Sequence, residues 1–203
     1  MEVMGKKLRI GWFTFTCCED SSIVFVEMMN QHFFEWKKLL DFRHCKMLKS
    51  KNVLDELDVA FVEGAISNDR DKAKLLEIRG KAKYLVAIGS CACTGGPSAQ
   101  RNTFPEHLKA KIEPFLKKWD LYKDVLRLDQ VITVDDRVDG CPMMEQKFLQ
   151  VLDKYLVEFG VKKPDAALPG AKAGIQFQYR SRLQFRRTRL FRDTNPRSSP
   201  RSA

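Results

Sequence analysis

The chain lacks several features whose absence narrows what it can be. None of its 203 residues belongs to an apolar run long enough to cross a bilayer as a helix, so direct membrane insertion is not expected. Met1–Lys7 leads straight into an apolar segment, with neither a twin arginine nor a signal-type hydrophobic stretch before it. The expected location is therefore the cytoplasm, or the periphery of a membrane complex. There is no C-x-x-C pair among the 6 cysteines, so the usual zinc knuckle is missing. Histidine is scarce: His32, His44 and His107 share no ligand spacing and read as surface or hydrogen-bonded structural residues. Lysine is absent from Gly174 onward, where 8 arginines meet a single acid, Asp193. The remaining 28 basic residues face 25 acids, so the net charge of +10 is concentrated in the last stretch and the body is nearly neutral. That distribution gives no reason to expect a nucleic-acid partner.

What is present alternates between strand-like and helix-like segments. Leu8–Phe15 reads as a buried first strand, and Glu19-Asp20-Ser21-Ser22 opens a helix with short polar residues and acids at its positive end. A second strand is expected near Arg43–Leu48, a third at Asp58–Gly64 and a fourth at Tyr84–Gly89. The last is expected at Gln130–Val134. Helices are expected over Asn68–Gly80, over most of Phe104–Leu121 (interrupted by Pro105 and Pro114), and over Pro142–Phe159. Alternation of this kind predicts an α/β domain with a doubly wound parallel sheet and right-handed crossovers.

In such a sheet, ligands bind in the crevice beyond the carboxyl ends of the strands. Five of the six cysteines fall there: Cys17 and Cys18 after the first strand, Cys91 and Cys93 after the fourth, Cys141 after the last. Thiolates gathered at one place repel unless a cation holds them, which leaves zinc or an iron–sulfur cluster. Ligands supplied by separate loops suit the larger object. Gly89, Gly95, Gly96 and Gly140 allow close backbone approach there.

The series Cys17-Cys18, Phe61-Val62-Glu63-Gly64-Ala65-Ile66, Gly89-Ser90-Cys91-Ala92, Gly95-Gly96 and Asp139-Gly140-Cys141-Pro142 resembles the proximal-cluster domain of [NiFe]-hydrogenase small subunits. That domain is shared with the cluster-bearing 20 kDa-type subunit of complex I. The resemblance spans about residues 7–160. It implies a flavodoxin-like iron–sulfur domain over residues 1–163, followed by a disordered loop and Arg/Ser-rich tail over 164–203. It also implies one 4Fe–4S cluster held by Cys17, Cys18, Cys91 and Cys141, and electron relay as one subunit of an oxidoreductase. The implied partners are a large [NiFe]-hydrogenase-like subunit and a further redox subunit. Cys91 and Cys141 match the family's motifs residue for residue. The adjacent Cys17 and Cys18 depart from the hydrogenase spacing and look like complex I, which leaves open whether both bind or whether Asp20 or Ser21 supplies an oxygen. No cysteine follows Cys141, so further clusters are not expected in this chain.

Two other functions stay in view, with nucleic-acid binding a third and weaker one that rests on the arginine-rich tail alone. One is a complex I-like or ferredoxin-linked oxidoreductase whose large partner lacks nickel. The other is a flavodoxin-like small-molecule-binding module with incidental cysteines, which the acids of the first loop disfavour at a phosphate site. Cys45 and Cys93 read as buried small hydrophobes, and Glu63 as a structural carboxylate before a relay group. Met28-Met29 and Met143-Met144 could pack in the core or form an interface, and Lys109, Lys111, Lys117 and Lys118 read as a solvated helix face. Trp12, Phe13, Ile66 and Pro142-Met143-Met144 are expected to form an apolar partner-binding patch around the cysteine loops.

Overall fold

The fold is given by a computed structural model that describes residues 5–163. The expected disordered tail over 164–203 lies outside the described residues. Five parallel strands, β1 (Leu8–Thr14), β2 (Leu40–Cys45), β3 (Leu57–Glu63), β4 (Ala82–Ile88) and β5 (Asp136–Val138), lie in the order β2-β1-β3-β4-β5. This is the flavodoxin-like order, in which the reversal between β1 and β3 opens a crevice at the carboxyl ends.

β3 is buried along all of its length, as a central strand covered on both faces must be. On one face lie helices α1 (Asp20–Leu39) and α5 (Glu145–Glu158), around an aromatic core of Trp12, Phe25, Trp36, Phe61 and Phe148. Trp12 and Phe25 stack with ring centroids 4.3 Å apart. Full burial of each such side chain contributes about 1.5–3 kcal/mol. On the other face lie helix α2 (Asp69–Lys81) and an irregular segment carrying Leu128 and Ile132. A short helix α3 (Gly89–Thr94) follows β4, and α4 (Glu106–Lys118) lies farther along the same connection. Among the described residues no helix is long and apolar enough to cross a membrane.

The expected elements are present with two shifts. The apolar run Gln130–Val134 is not a strand: Leu128–Gln130 makes a single 3-10 turn and the strand falls at Asp136–Val138. Val131, Ile132 and Val134 pack over the sheet face instead. Pairing beside β4 starts at Asp135, whose N–H donates to the Leu85 carbonyl (2.9 Å) and whose carboxylate accepts the Leu85 N–H (2.7 Å). β2 begins at Leu40, directly on leaving α1, and ends at Cys45, where the Asn52 side chain accepts the Cys45 N–H at 2.7 Å. Met47 and Leu48 of the expected strand lie in the turn beyond it.

The expected apolar patch is also corrected. Trp12, Phe13, Ile66 and Met143 are core residues, 3%, 5%, 0% and 3% exposed, and of that group only Pro142 and Met144 are open to solvent. Helices cover both faces up to the strand ends, so side chains leading into the cysteine loops point into the core. Met28 and Met29 are core residues as well.

Candidate metal centre

Three loops build the site. After β1, the chain is held to the end of β3 by Phe15 N–H donating to the Glu63 carbonyl (2.9 Å) and by a reciprocal pair between Thr16 and Ala65 (3.1 and 3.0 Å). Cys17 and Cys18 follow, and Glu19 turns into the left-handed region (φ 64°) to start α1 without capping it through its own side chain. Glu63 supplies the cap from the neighbouring strand: its carboxylate, 3% exposed, accepts the N–H of Ser21 (3.1 Å), the N–H of Ser22 (3.0 Å) and the hydroxyl of Ser22 (2.6 Å). An acid there also meets the positive end of the helix dipole. Ser22 in turn accepts the indole N–H of Trp12 at 2.9 Å.

The second loop is the start of α3. Gly89 adopts φ 75°, and a Cβ there would stand 2.7 Å from the Ser21 hydroxyl, so the position needs glycine. Ser90 N–H donates to the Gly140 carbonyl of the third loop at 2.7 Å. Gly140 adopts φ 122°, and a Cβ there would overlap the Pro142 carbonyl. Met143 N–H donates to the Ser21 hydroxyl at 3.2 Å, which ties the third loop back to the first.

Cys18, Cys91 and Cys141 line one cleft between these loops, together with Asp20, Ser21, Glu63, Gly89 and Gly140. Cys17 lies behind, packed with Cys91, Ala65 and Val125. Cys18 and Cys141 are exposed, Cys17 is partly covered and Cys91 is buried. Burial, with the charge of Glu63 adding, pushes the Cys17 thiol up to about 12. Burial also raises Cys91, helped by Cys18 and Cys141 and opposed by hydrogen bonds from Ser98. The pocket therefore favours thiols until a cation is present to take the thiolates. Among the described residues no three or more His, Cys, Asp or Glu side chains group closely enough to hold one metal ion.

Cys45 and Cys93 stand apart. Cys93 points under the sheet, its thiol 3.5 Å from the Ala87 carbonyl, and Cys45 is in the core beneath α1. His44 is buried with Nδ1 3.2 Å from the Trp12 carbonyl. The Ser21 hydroxyl is buried and engaged with Met143, whereas Asp20 is exposed on the cleft. The sequence marks Ser22 only as a helix-opening polar residue, and no local sequence signal marks Ser98, whose hydroxyl lies 3.9 Å from the Cys91 sulfur. The part of Ser22 depends on its contact with Glu63, 41 positions away in the chain.

Residues 17–155 match the family described as NADH ubiquinone oxidoreductase, 20 Kd subunit. The chain belongs to this family. Among its relatives, an F420-non-reducing hydrogenase subunit of Methanothermobacter thermautotrophicus is 26% identical over 186 residues, covering 81% of this chain and 58% of the relative. An NADH-quinone oxidoreductase subunit of Salinispora tropica is 25% identical over 181 residues, covering 83% and 80%. The delta subunit of sulfhydrogenase 2 of Pyrococcus furiosus is 24% identical over 153 residues, covering 71% and 60%. The chain spans less than two thirds of the length of these two hydrogenase-type relatives. A chain of an NAD+-reducing [NiFe]-hydrogenase in the H2-reduced state shares the 20 Kd-subunit fold at a TM-score of 0.64 with 24% identity, covering 80% of this chain and 98% of that one.

Proposed function

We propose that the chain is the electron-transferring small subunit of a [NiFe]-hydrogenase-like oxidoreductase, binding one 4Fe–4S cluster through Cys17, Cys18, Cys91 and Cys141. It would work with a large catalytic subunit and a further redox subunit. The observation that carries this reading is the convergence of loops after β1, β4 and β5 on one cleft lined by thiols, in a chain of this family. When bound, such a cluster supplies a one-electron couple.

The donor set suits that group. A single zinc needs its sulfurs about 2.3 Å from one point, whereas the thiols here come from three separate loops, with Cys17 set behind the cleft that Cys18, Cys91 and Cys141 line. A cluster takes one cysteine per iron and tolerates a wider spread. Gly89 and Gly140 keep the cleft free of side-chain bulk where a Cβ would clash. Glu63 fixes the start of α1, and with it Cys18, while Ser21 links that turn to the Cys141 loop.

A nickel-free, complex I-like assembly is the second reading, favoured by the adjacent Cys17 and Cys18 and by the family description. A flavodoxin-type phosphate site is disfavoured on physical grounds. The amides of Ser21 and Ser22, which a phosphate would need at the start of α1, already donate to Glu63.

The test is substitution in anaerobically reconstituted protein. Cys91→Ser and Cys141→Ser should each abolish or convert the cluster's visible absorption and paramagnetic signal. Cys45→Ser should leave both intact. A damaging Cys45→Ser with a silent Cys141→Ser would overturn the assignment.

A further inference from the structure

Helix α4 does not bury a single residue, although its sequence is amphipathic. Leu108, Ile112, Phe115, Leu116 and Trp119 recur on one side at helical spacing. Phe115 and Trp119 are 54% and 60% exposed and stack on each other with ring centroids 5.8 Å apart. Between α4 and the chain on either side of it runs a groove, with Ile112, Leu116 and Leu121 as apolar lining and Arg101, Lys109, Lys117 and Lys123 outnumbering Glu106 and Glu113, which pair with Lys109 at 3.1 Å and Lys117 at 2.7 Å. Residues 101–123 carry 6 basic and 3 acidic side chains, in a body that is otherwise nearly neutral.

Arg101 is the unusual member. One of its terminal nitrogens donates to the Tyr122 carbonyl at 2.8 Å, while Nε is buried with no hydrogen-bond partner among the described residues. No carboxylate there forms an ion pair with it. Burial lowers the affinity of the guanidinium for its proton, and the charge of Asp124 only partly opposes this. A half-buried cation left without a paired anion costs free energy that a carboxylate could recover.

The groove is also close to the cleft. The Ser98–Thr103 turn that leads into it begins with Ser98, 3.9 Å from the Cys91 sulfur, and Ala99 packs on Cys91 and Val125. Asn102 clamps Val125 by a reciprocal pair of hydrogen bonds at 2.9 and 2.8 Å.

We infer that α4 and this groove form the docking surface for an acidic redox protein, one of whose carboxylates enters the groove toward Arg101 while an apolar side chain covers Phe115 and Trp119. Charge complementarity selects the partner. A protein fits better than an anionic bilayer, because Arg101 lies inside the groove where a projecting side chain reaches it. The inference rests on the electron-relay reading and adds the place of exchange.

The test uses the full chain and a purified acidic 2Fe–2S ferredoxin as probe, with association followed at low and high salt. The double variant Lys117→Glu/Lys123→Glu should slow association roughly tenfold, in the range of electrostatic steering. Trp119→Ser, at an exposed position, should speed dissociation. Lys38→Glu, exposed on α1 at the opposite end of the sheet, should change neither, and it retains the arginine-rich stretch as a common background. Equal losses from Lys38→Glu and the double variant would overturn the docking surface. So would α4-dependent capture by vesicles of anionic lipid with no effect of the double variant on the ferredoxin. Electron exchange with the reconstituted chain is read separately. If docking is lost in the double variant but the reconstituted wild-type chain exchanges no electrons, the surface stands and the relay reading falls. Exchange that is indifferent to the double variant supports the relay and overturns the surface.

Discussion

At the residue scale, Glu63 does the most to shape the candidate centre without touching a cysteine. Its buried carboxylate satisfies two amides and a hydroxyl at the first turn of α1, all within 3.1 Å. Glu63→Ala would strand both amides in a buried setting. It should lower stability by at least about 3 kcal/mol, counting about 1.5 kcal/mol for each of the two stranded amides and leaving aside the Ser22 hydroxyl, which can turn to another partner, measured by denaturant unfolding. Glu63→Gln keeps one acceptor oxygen and should cost less; equal losses for the two would show that the retained oxygen contributes nothing and that the charge or the second acceptor carries the effect. The sequence showed an acid at a strand end and favoured a structural carboxylate. It could not show what the acid satisfies, because Ser21 and Ser22 lie more than 40 positions earlier. The placement of Cys45 away from the cleft was legible, since it alone does not follow a strand end; Cys93 follows one, and its reading as a buried small residue holds because its thiol turns back to the Ala87 carbonyl. The burial of Ile66 was not, and Trp12, Phe13 and Met143 carried two competing readings, core and partner-binding patch, of which the core one holds. A strand-end residue can face the core or the rim, and alternation alone does not say how far the helices extend over it.

At the scale of elements, the three loops are held in place by backbone conformations that side chains rarely adopt. Gly140 combines φ 122° with a carbonyl, that of Pro142, where a Cβ would have to go. Gly140→Ala should cost at least about 2 kcal/mol and should reduce iron retention more than it reduces helix content, read by iron analysis beside circular dichroism. Unchanged iron retention would mean that the third loop tolerates displacement. Strand and helix order was legible because β1, β3 and β4 are continuous apolar runs bounded by turns, and because Asn68 opens a helix; Pro105, read as an interruption, precedes the first residue of α4, which then runs through Pro114. Asn68 does cap α2, accepting the Asp71 N–H at 2.7 Å. The last strand was misplaced because Val131, Ile132 and Val134 are more β-like than Asp136-Arg137-Val138, while the polar residue Asp135 pins the pairing register. Tertiary hydrogen bonding outweighed local propensity there.

For the whole molecule, the two ends of the sheet have different electrostatics. At the end opposite the cleft, Asp58 is 4% exposed and accepts from the Arg9 backbone and guanidinium at 3.0–3.3 Å, with Lys83 3.5 Å away. Burial pushes the Asp58 carboxyl up, but Arg9 more than reverses this and holds it below the ordinary range. A carboxyl lowered on folding stabilises the fold above its unfolded value, near 3.9, and the benefit is lost as pH falls through the lower folded value. Unfolding free energy should therefore rise with pH through that window. The rise should flatten in Arg9→Met; an unaltered slope would assign the acid sensitivity to other carboxylates. At the cleft end, the thiols of Cys17 and Cys91 are raised by burial, as suits groups that await a cation. The central claim is that this end holds an iron–sulfur cluster and not a single ion, and metal analysis tests it most directly. The full chain, reconstituted anaerobically with iron and sulfide in the presence of competing zinc, should retain about four iron and four sulfide per chain. One zinc per chain with no acid-labile sulfide would contradict it.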